Sequence, residues 1–375
     1  MWQPQGFYNE YALRMPIILS GDESVRGLFN YPASKVAVIC GKSFSDEEVI
    51  RSTFSKKEIS FFRRSWSGEP DLSSIAGTLH EIESYRPDTI IAVGGGSVID
   101  GSKIVRLFYE YPFFKFGETR ISGEALRTKF IAIPTTVGSG AEVSSAAVFL
   151  DHENHRKDMI VIHELMPEVV VYDKRYVEGT KINLLMASIL DAMAHILEGY
   201  VSTRENAIMD VYAEKGFTII AGEIEKIVGG DEGTVDFQRL QYAGLLGGLV
   251  QNHCIVGAAH AIAHQLTDYG FSHGEAVSLL LPSVIKMNAE DSIAREKYDA
   301  ISAQAGFTSV LECADMIESA SEKAGIHKKF DELKELLVKL SRVKEFRDNV
   351  MQDKGGKGNP IPITDEYIDK LVRSL

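Results

Sequence analysis

The sequence predicts two domains of different class: an α/β domain on a parallel sheet over residues 1–180, and an all-helical domain over residues 181–375. Three observations predict this. Short β-rich runs alternate with helical spacing through the first half. Beyond about Gly179 every apolar-periodic segment has a helical period. The chain has 375 residues, more than the ~100–200 usual for one domain.

Taken in order, Lys35–Cys40 is a strand ending at Gly41, and residues 59–62 form a weaker one. Residues 71–85 space Leu72, Ile75, Leu79 and Ile82 as one face of a helix. Residues 89–93 are a buried strand running into Gly94-Gly95-Gly96, with a helix over residues 97–109. Residues 129–133 and Val169–Tyr172 are further strands. Strands separated by helices imply a parallel sheet covered on both faces. Helices are then expected over residues 183–201, 207–228, 237–266 and 275–287, with amphipathic segments to the end. The glycine-rich stretch 354–360 reads as a mobile loop.

Composition excludes several function classes. With 45% hydrophobic and 25% charged residues the chain is an ordinary globular protein. A net charge of −13 argues against nucleic acid and anionic membrane as partners, since both reward a basic surface. Cys40, Cys254 and Cys313 are too scattered for a disulfide framework. Met1-Trp2-Gln3-Pro4-Gln5 has neither a basic nor an apolar region of a signal peptide, so a cytoplasmic protein is expected. Residues 182–201 and 245–266 are long and apolar, yet carry ionisable groups near their middles, which suits buried helices better than membrane spans.

Strand, then Gly94-Gly95-Gly96-Ser97, then helix, is an arrangement that brings backbone close to a phosphate and offers free N–H groups to it. A tight turn with no ligand would look the same. The loop Pro134-Thr135-Thr136-Val137-Gly138-Ser139-Gly140-Ala141-Glu142 follows another strand and collects hydroxyls and glycines at the same sheet edge, where α/β proteins bind ligands.

In the second half, Asp191 and His195 are the only ionisable groups between Leu184 and Leu197, and His260 and His264 the only ones between Ile255 and Leu266. Both pairs are spaced i, i+4, on one helix face. A carboxylate in so apolar a helix is costly without a compensating cation or donor. A single such pair could be a satisfied core hydrogen bond. Two, followed by His273 in Ser272-His273-Gly274, point to a divalent metal such as Fe(II) or Zn(II).

These four segments, Gly94 to Lys103, Pro134 to Glu142, Asp191-Ala192-Met193-Ala194-His195, and His260 to His264 with His273-Gly274, together with Gly358-Asn359-Pro360, resemble the iron-containing (group III) alcohol dehydrogenase family along nearly the whole chain. The resemblance implies a dinucleotide-binding domain, an all-α domain (a dehydroquinate synthase-like architecture), and a cleft between them for cofactor and metal. It implies metal ligation by Asp191, His195, His260 and His273. Gly95, Gly96 and Ser97 would hold the diphosphate, and Asp100, Thr135, Thr136, Ser139 and Lys157 would serve the cofactor. Hydride would pass between NAD or NADP and a primary alcohol or aldehyde held at the metal. His264, one turn from His260, is the candidate proton relay, or else a core histidine bonded to backbone. A homo-oligomer, a dimer, is expected.

The family commonly carries an Asp after the first strand, where it would hold the adenosine ribose. Gly41 stands there, followed by Lys42 and Ser43, which leaves room for a 2′-phosphate and predicts tolerance of NADP as well as NAD. Other departures are Gln265 and Thr267 in place of Pro and Gly, a shorter loop before His273, and Ala141 in place of Ser. Arg156, Lys157 and Lys181 could serve an anionic substrate or stand in water. The rival readings are a metal-dependent lyase of the dehydroquinate synthase type and a non-catalytic metal- or nucleotide-binding protein.

Overall fold

The computed structural model describes residues 15–42, 44–115, 126–151 and 156–375. Residues 1–5, read above as lacking a leader, and Ser43 lie outside the described residues, as does the side chain of Arg156. The chain divides into two compact units, Met1–Glu178 and Gly179–Leu375.

The first unit runs β1 (Ile17–Ser20), β2 (Lys35–Cys40), α1 (Glu47–Thr53), β3 (Glu58–Arg63), α2 (Ala76–Tyr85), β4 (Thr89–Gly94), α3 (Gly96–Glu110), β5 (Lys129–Pro134), β6 (Ala146–Asp151), β7 (Arg156–Val161) and β8 (Val169–Tyr172). Six strands form one parallel sheet in the order β1-β8-β5-β4-β2-β3. Its central strands are continuous Val/Ile runs because both faces are covered. Val36 and Val38, Ile91 and Val93, Ile131 and Ile133, and Val169 and Val171 alternate onto one face and pack with Val25, Leu28, Ile50 and Phe54. From β2 the chain leaves toward β3, while β4 pairs on the opposite side of β2. The loops after β2 and β4 therefore diverge, which opens the crevice where such sheets take ligands.

Two features of the first unit differ from expectation. The helix expected from residue 71 starts only at Ala76, because the Asp71 carboxylate accepts the backbone N–H groups of Ser73 and Ser74 at 2.9 Å and closes a turn instead. The edge strand β1 and the antiparallel pair β6–β7 have no counterpart in the sequence reading; β1 is four residues long, too short to show a period.

The second unit contains, among the described residues, helices and no strand: α4 (Ile182–Tyr200), α5 (Ala207–Gly229), α6 (Phe237–Cys254), α7 (Ala258–Ala263), α8 (His273–Asn288), α9 (Ser292–Gln304), α10 (Val310–Lys323), α11 (Phe330–Leu340), α12 (Lys344–Gln352) and α13 (Asp365–Ser374). Among the described residues α4 is the one helix long and apolar enough to cross a bilayer, and 78% of its most apolar window is buried inside the protein. Helices α5, α6 and α8 pack around it.

Residues 237–266, expected as one helix, break into α6 and α7. Ile255 takes φ 65°, a left-handed conformation that a β-branched residue adopts only at a cost of about 1–3 kcal/mol. The strain is held by bonds to the start of α7: Asn359 Oδ1 accepts from Ala258 N (3.1 Å) and Glu198 Oε1 from Ala259 N (2.7 Å).

The stretch read as a mobile loop is instead a packed tie. Gly355–Gly358 is a short 3-10 helix, and a Cβ at Gly358 would stand 2.6 Å from Ser202 Oγ and 2.8 Å from Val256 O. Asn359 is buried and exchanges amide hydrogen bonds of 2.9 Å with Asn288. Here glycine serves close packing rather than freedom.

Candidate functional site

The glycine turn joins β4 to α3, and the second loop lies against it. A Cβ at Gly96 would be 2.7 Å from Ser139 Cβ, so only glycine lets the two loops approach this closely. Thr135 N donates to Gly94 O at 3.1 Å. Gly95, Gly96, Ser97, Thr135, Thr136 and Ser139 are thereby gathered at one sheet edge, each half-buried. The free N–H groups at the start of α3, a fifteen-residue helix, face this edge and favour an anion. Gly41, at the end of β2, is half-buried, and a Cβ there would meet nothing within 4 Å.

Asp100 and Lys157 sit differently, both turned into the unit. Asp100 Oδ2 accepts from Val148 N at 3.2 Å and Oδ1 lies 3.4 Å from Lys103 Nζ. Burial raises its carboxyl to about 6 against the pull of that lysine. Lys157 Nζ pairs with Glu69 Oε1 at 2.9 Å and is 8% exposed. Lys181, the residue before α4, is exposed.

In the helical unit, α4 supplies Asp191 and His195, α7 supplies His260, and the first residue of α8 is His273. Ser272 caps α8 in a capping box with Glu275. A Cβ at Gly274 would stand 2.7 Å from Ala187 O, so the glycine lets the start of α8 reach the α4 backbone and sets His273 beside Asp191. Ligand atoms of Asp191, His195 and His260 all lie within 4.8 Å of one another. Asp191 Oδ1 stands 3.5 Å from both His260 Nε2 and His273 Nε2. The His195 and His260 rings stack with centroids 4.6 Å apart.

The electrostatics of this cluster call for a cation. Asp191, His195 and His260 are buried. His260 Nδ1 lies 2.6 Å from Glu198 Oε2; an ionised carboxylate only accepts, so the ring proton is on Nδ1. That leaves the Nε2 lone pair facing Asp191 Oδ1, and neither buried atom has a hydrogen-bond partner. Two acceptors 3.5 Å apart repel unless positive charge stands between them. Without a metal, only protons supply it. Burial alone would lower His260, but Asp191 and Glu198 outweigh it and raise the imidazole to about 9. Burial alone would raise Asp191, but the imidazoles of His195, His273 and His260 hold it well below the usual carboxylate range. Three imidazoles with one carboxylate are a donor set for Fe(II) or Zn(II), and these residues fit such an ion.

His264, one turn beyond His260, stands outside the tightest cluster. Its Nδ1 lies 2.9 Å from Asp353 Oδ2, and its ring stacks on His273 with centroids 5.2 Å apart.

Known proteins resemble the chain over both units. The family described as iron-containing alcohol dehydrogenase matches residues 16–174, and the Fe-containing alcohol dehydrogenase family, C-terminal, matches residues 185–375. The chain belongs to the iron-containing alcohol dehydrogenase family. It is 29% identical over 316 residues to an alcohol dehydrogenase of Thermococcus barophilus, covering 81% of each chain. It is 30% identical over 241 residues to an NADPH-dependent butanol dehydrogenase of Clostridium saccharobutylicum, covering 63% of this chain and 61% of that one. The solved iron-containing alcohol dehydrogenase of Thermococcus thioreducens superposes with a TM-score of 0.86 at 27% identity, covering 96% of this chain and 98% of that one. The protein is thus a metal-dependent, NAD(P)-linked alcohol dehydrogenase.

Three residues of the dehydrogenase escaped the sequence reading. Glu198 continues the Asp191, His195 face of α4 at i+7 and is 1% exposed; scanning three residues further along the same face would have found it. Asp353, 89 residues from the histidine it bonds, leaves no local signal. Arg64, the residue after β3, donates to Ser97 Oγ at 2.8 Å and so stands at the glycine turn, a contact with α3 that no motif encodes.

Proposed function

We propose that this dehydrogenase interconverts small primary alcohols and aldehydes, with one Fe(II) or Zn(II) ion held by Asp191, His195, His260 and His273. The facing Asp191 Oδ1 and His260 Nε2, buried without partners, carry the ligand assignment. Bound there, the ion would act as a Lewis acid on the substrate oxygen while the nicotinamide accepts or gives the hydride.

The chain's own residues do the rest. Gly95, Gly96 and Ser97 hold the diphosphate at the start of α3, and Thr135, Thr136 and Ser139 line the cofactor beside them. Asp100 and Lys157, which the resemblance would also give to the cofactor, bond instead to Val148 N and to Glu69 inside the unit. His264 relays the proton: Asp353 occupies its Nδ1, so exchange falls to Nε2. Three buried, unbridged cysteines suit a reducing cytoplasm, and a homodimer completes the reading.

Both NAD and NADP are accepted in this reading. The Clostridium relative is named as NADPH-dependent, and the space at Gly41 would admit a 2′-phosphate. Arg63 Nη1 donates to Gly41 O at 3.2 Å while its Nη2 pairs with Glu47 Oε1 at 2.6 Å, so the guanidinium beside that space is already neutralised. A panel of aldehydes and alcohols, read by absorbance of the reduced cofactor, tests the substrate class; no turnover across it would sink the proposal. On any accepted aldehyde, Gly41→Asp should shift kcat/KM toward NADH by about tenfold or more, because it adds a charge that repels the 2′-phosphate. An unchanged ratio would remove Gly41 from the ribose pocket.

A further inference from the structure

Glu198 is a buried carboxylate in an apolar helix, which is costly unless both oxygens are occupied. Both are. Oε1 accepts from Ala259 N at 2.7 Å, in the first turn of α7, and Oε2 accepts a hydrogen bond from His260 Nδ1–H at 2.6 Å. One side chain on α4 therefore fixes the position of α7 and the rotation of the His260 ring. Asp191, His195 and Glu198 lie at i, i+4 and i+7, so a single helix carries two groups of the cluster and the clamp on a third.

We infer that Glu198 is a positioning residue for the metal: it imposes on His260 the tautomer that leaves Nε2 as the ligating atom and aims it at Asp191. The inference rests on the ligand set proposed above. A neutral imidazole carries one ring proton, and the partner of one nitrogen decides which nitrogen is left to bind a metal. In Glu198→Gln the amide has a single acceptor oxygen for two donors, Ala259 N–H and His260 Nδ1–H. If the oxygen stays on Ala259, the NH2 group faces Nδ1, and the ring is driven to carry its proton on Nε2. The shape is kept while the ligating lone pair is lost.

Glu223 supplies the control. It is also a 1% exposed glutamate of the helical unit, bonded to Lys226 and Asp236 N and in contact with none of the four proposed ligands. Parent, Glu198→Gln and Glu223→Gln proteins are stripped of metal, and their Zn(II) dissociation constants are measured by competition with a chromophoric chelator. Glu198→Gln should weaken binding by about 10–100-fold, the usual effect of losing an outer partner of a ligating histidine. Glu223→Gln should leave the constant unchanged even where it lowers the melting temperature. Equal constants for parent and Glu198→Gln, or equal weakening in both variants, would overturn the proposal and leave Glu198 a packing residue. A parent that takes up no Zn(II) would overturn the ligand set itself, a separate result. A crystal structure of the Zn(II)-loaded parent decides the matter even if Glu198→Gln does not fold. Coordination through His260 Nε2, with Nδ1 on Glu198, is the expected result, and coordination through Nδ1 would contradict it.

Discussion

Asp191→Asn is expected to empty the metal site while leaving the helical unit folded. Asp191 Oδ1 is the oxygen shared between His260 Nε2 and His273 Nε2, each 3.5 Å away, and it is the one carboxylate in the proposed donor set. The substitution keeps the shape and removes the charge. Metal affinity should fall by more than the ~10–100-fold typical of losing an outer partner. Turnover should fall by about 10³-fold or more, because Lewis-acid assistance is worth several kcal/mol and each ~1.4 kcal/mol is a factor of ten. Elemental analysis of the purified variant, alongside its kcat, checks both. Equal metal content with equal activity would remove Asp191 from the site.

The second large effect separates two histidines one helical turn apart. His260→Ala should lose metal and also lose stability, by about 3–5 kcal/mol, since it strands the buried Glu198 carboxylate without its partner. His264→Ala should keep its metal, because its Nδ1 is tied to Asp353, whereas His273 Nε2 faces Asp191 Oδ1 at 3.5 Å. It should instead slow turnover by about 10²–10⁴-fold, the range for loss of a positioned proton carrier, and remove one limb of the pH–rate profile. Metal analysis, thermal melts and pH profiles of the two variants distinguish these outcomes. Equal metal loss in both would end the relay role of His264.

Much of this was legible in the sequence because the informative residues are local. Val/Ile runs between glycines gave the central strands, since a strand buried on both faces has no polar alternation to blur it. Asp191 and His195 stood out because everything around them is apolar. What failed was set by tertiary contact. The break at Ile255 is held in place by Asn359 and Glu198, more than fifty residues away in sequence, and an apolar run cannot announce it. The stretch 354–360 has the composition of a mobile loop, yet its glycines are there so that Ser202 and Val256 can pack against them. Asp100 and Lys157 carry charges that a motif assigns to the cofactor, and the fold turns both toward internal partners.

In the proposed mechanism a metal at the Asp191, His195, His260 and His273 cluster is required for alcohol oxidation. The most direct test is to strip the parent protein with a chelator and measure NAD(P)+-dependent oxidation of an accepted alcohol as Fe(II) is returned under anaerobic conditions. Activity should vanish with the metal and return in proportion to Fe(II), reaching a plateau near one ion per chain. Full turnover by the stripped protein, with metal far below one ion per chain, would contradict the account.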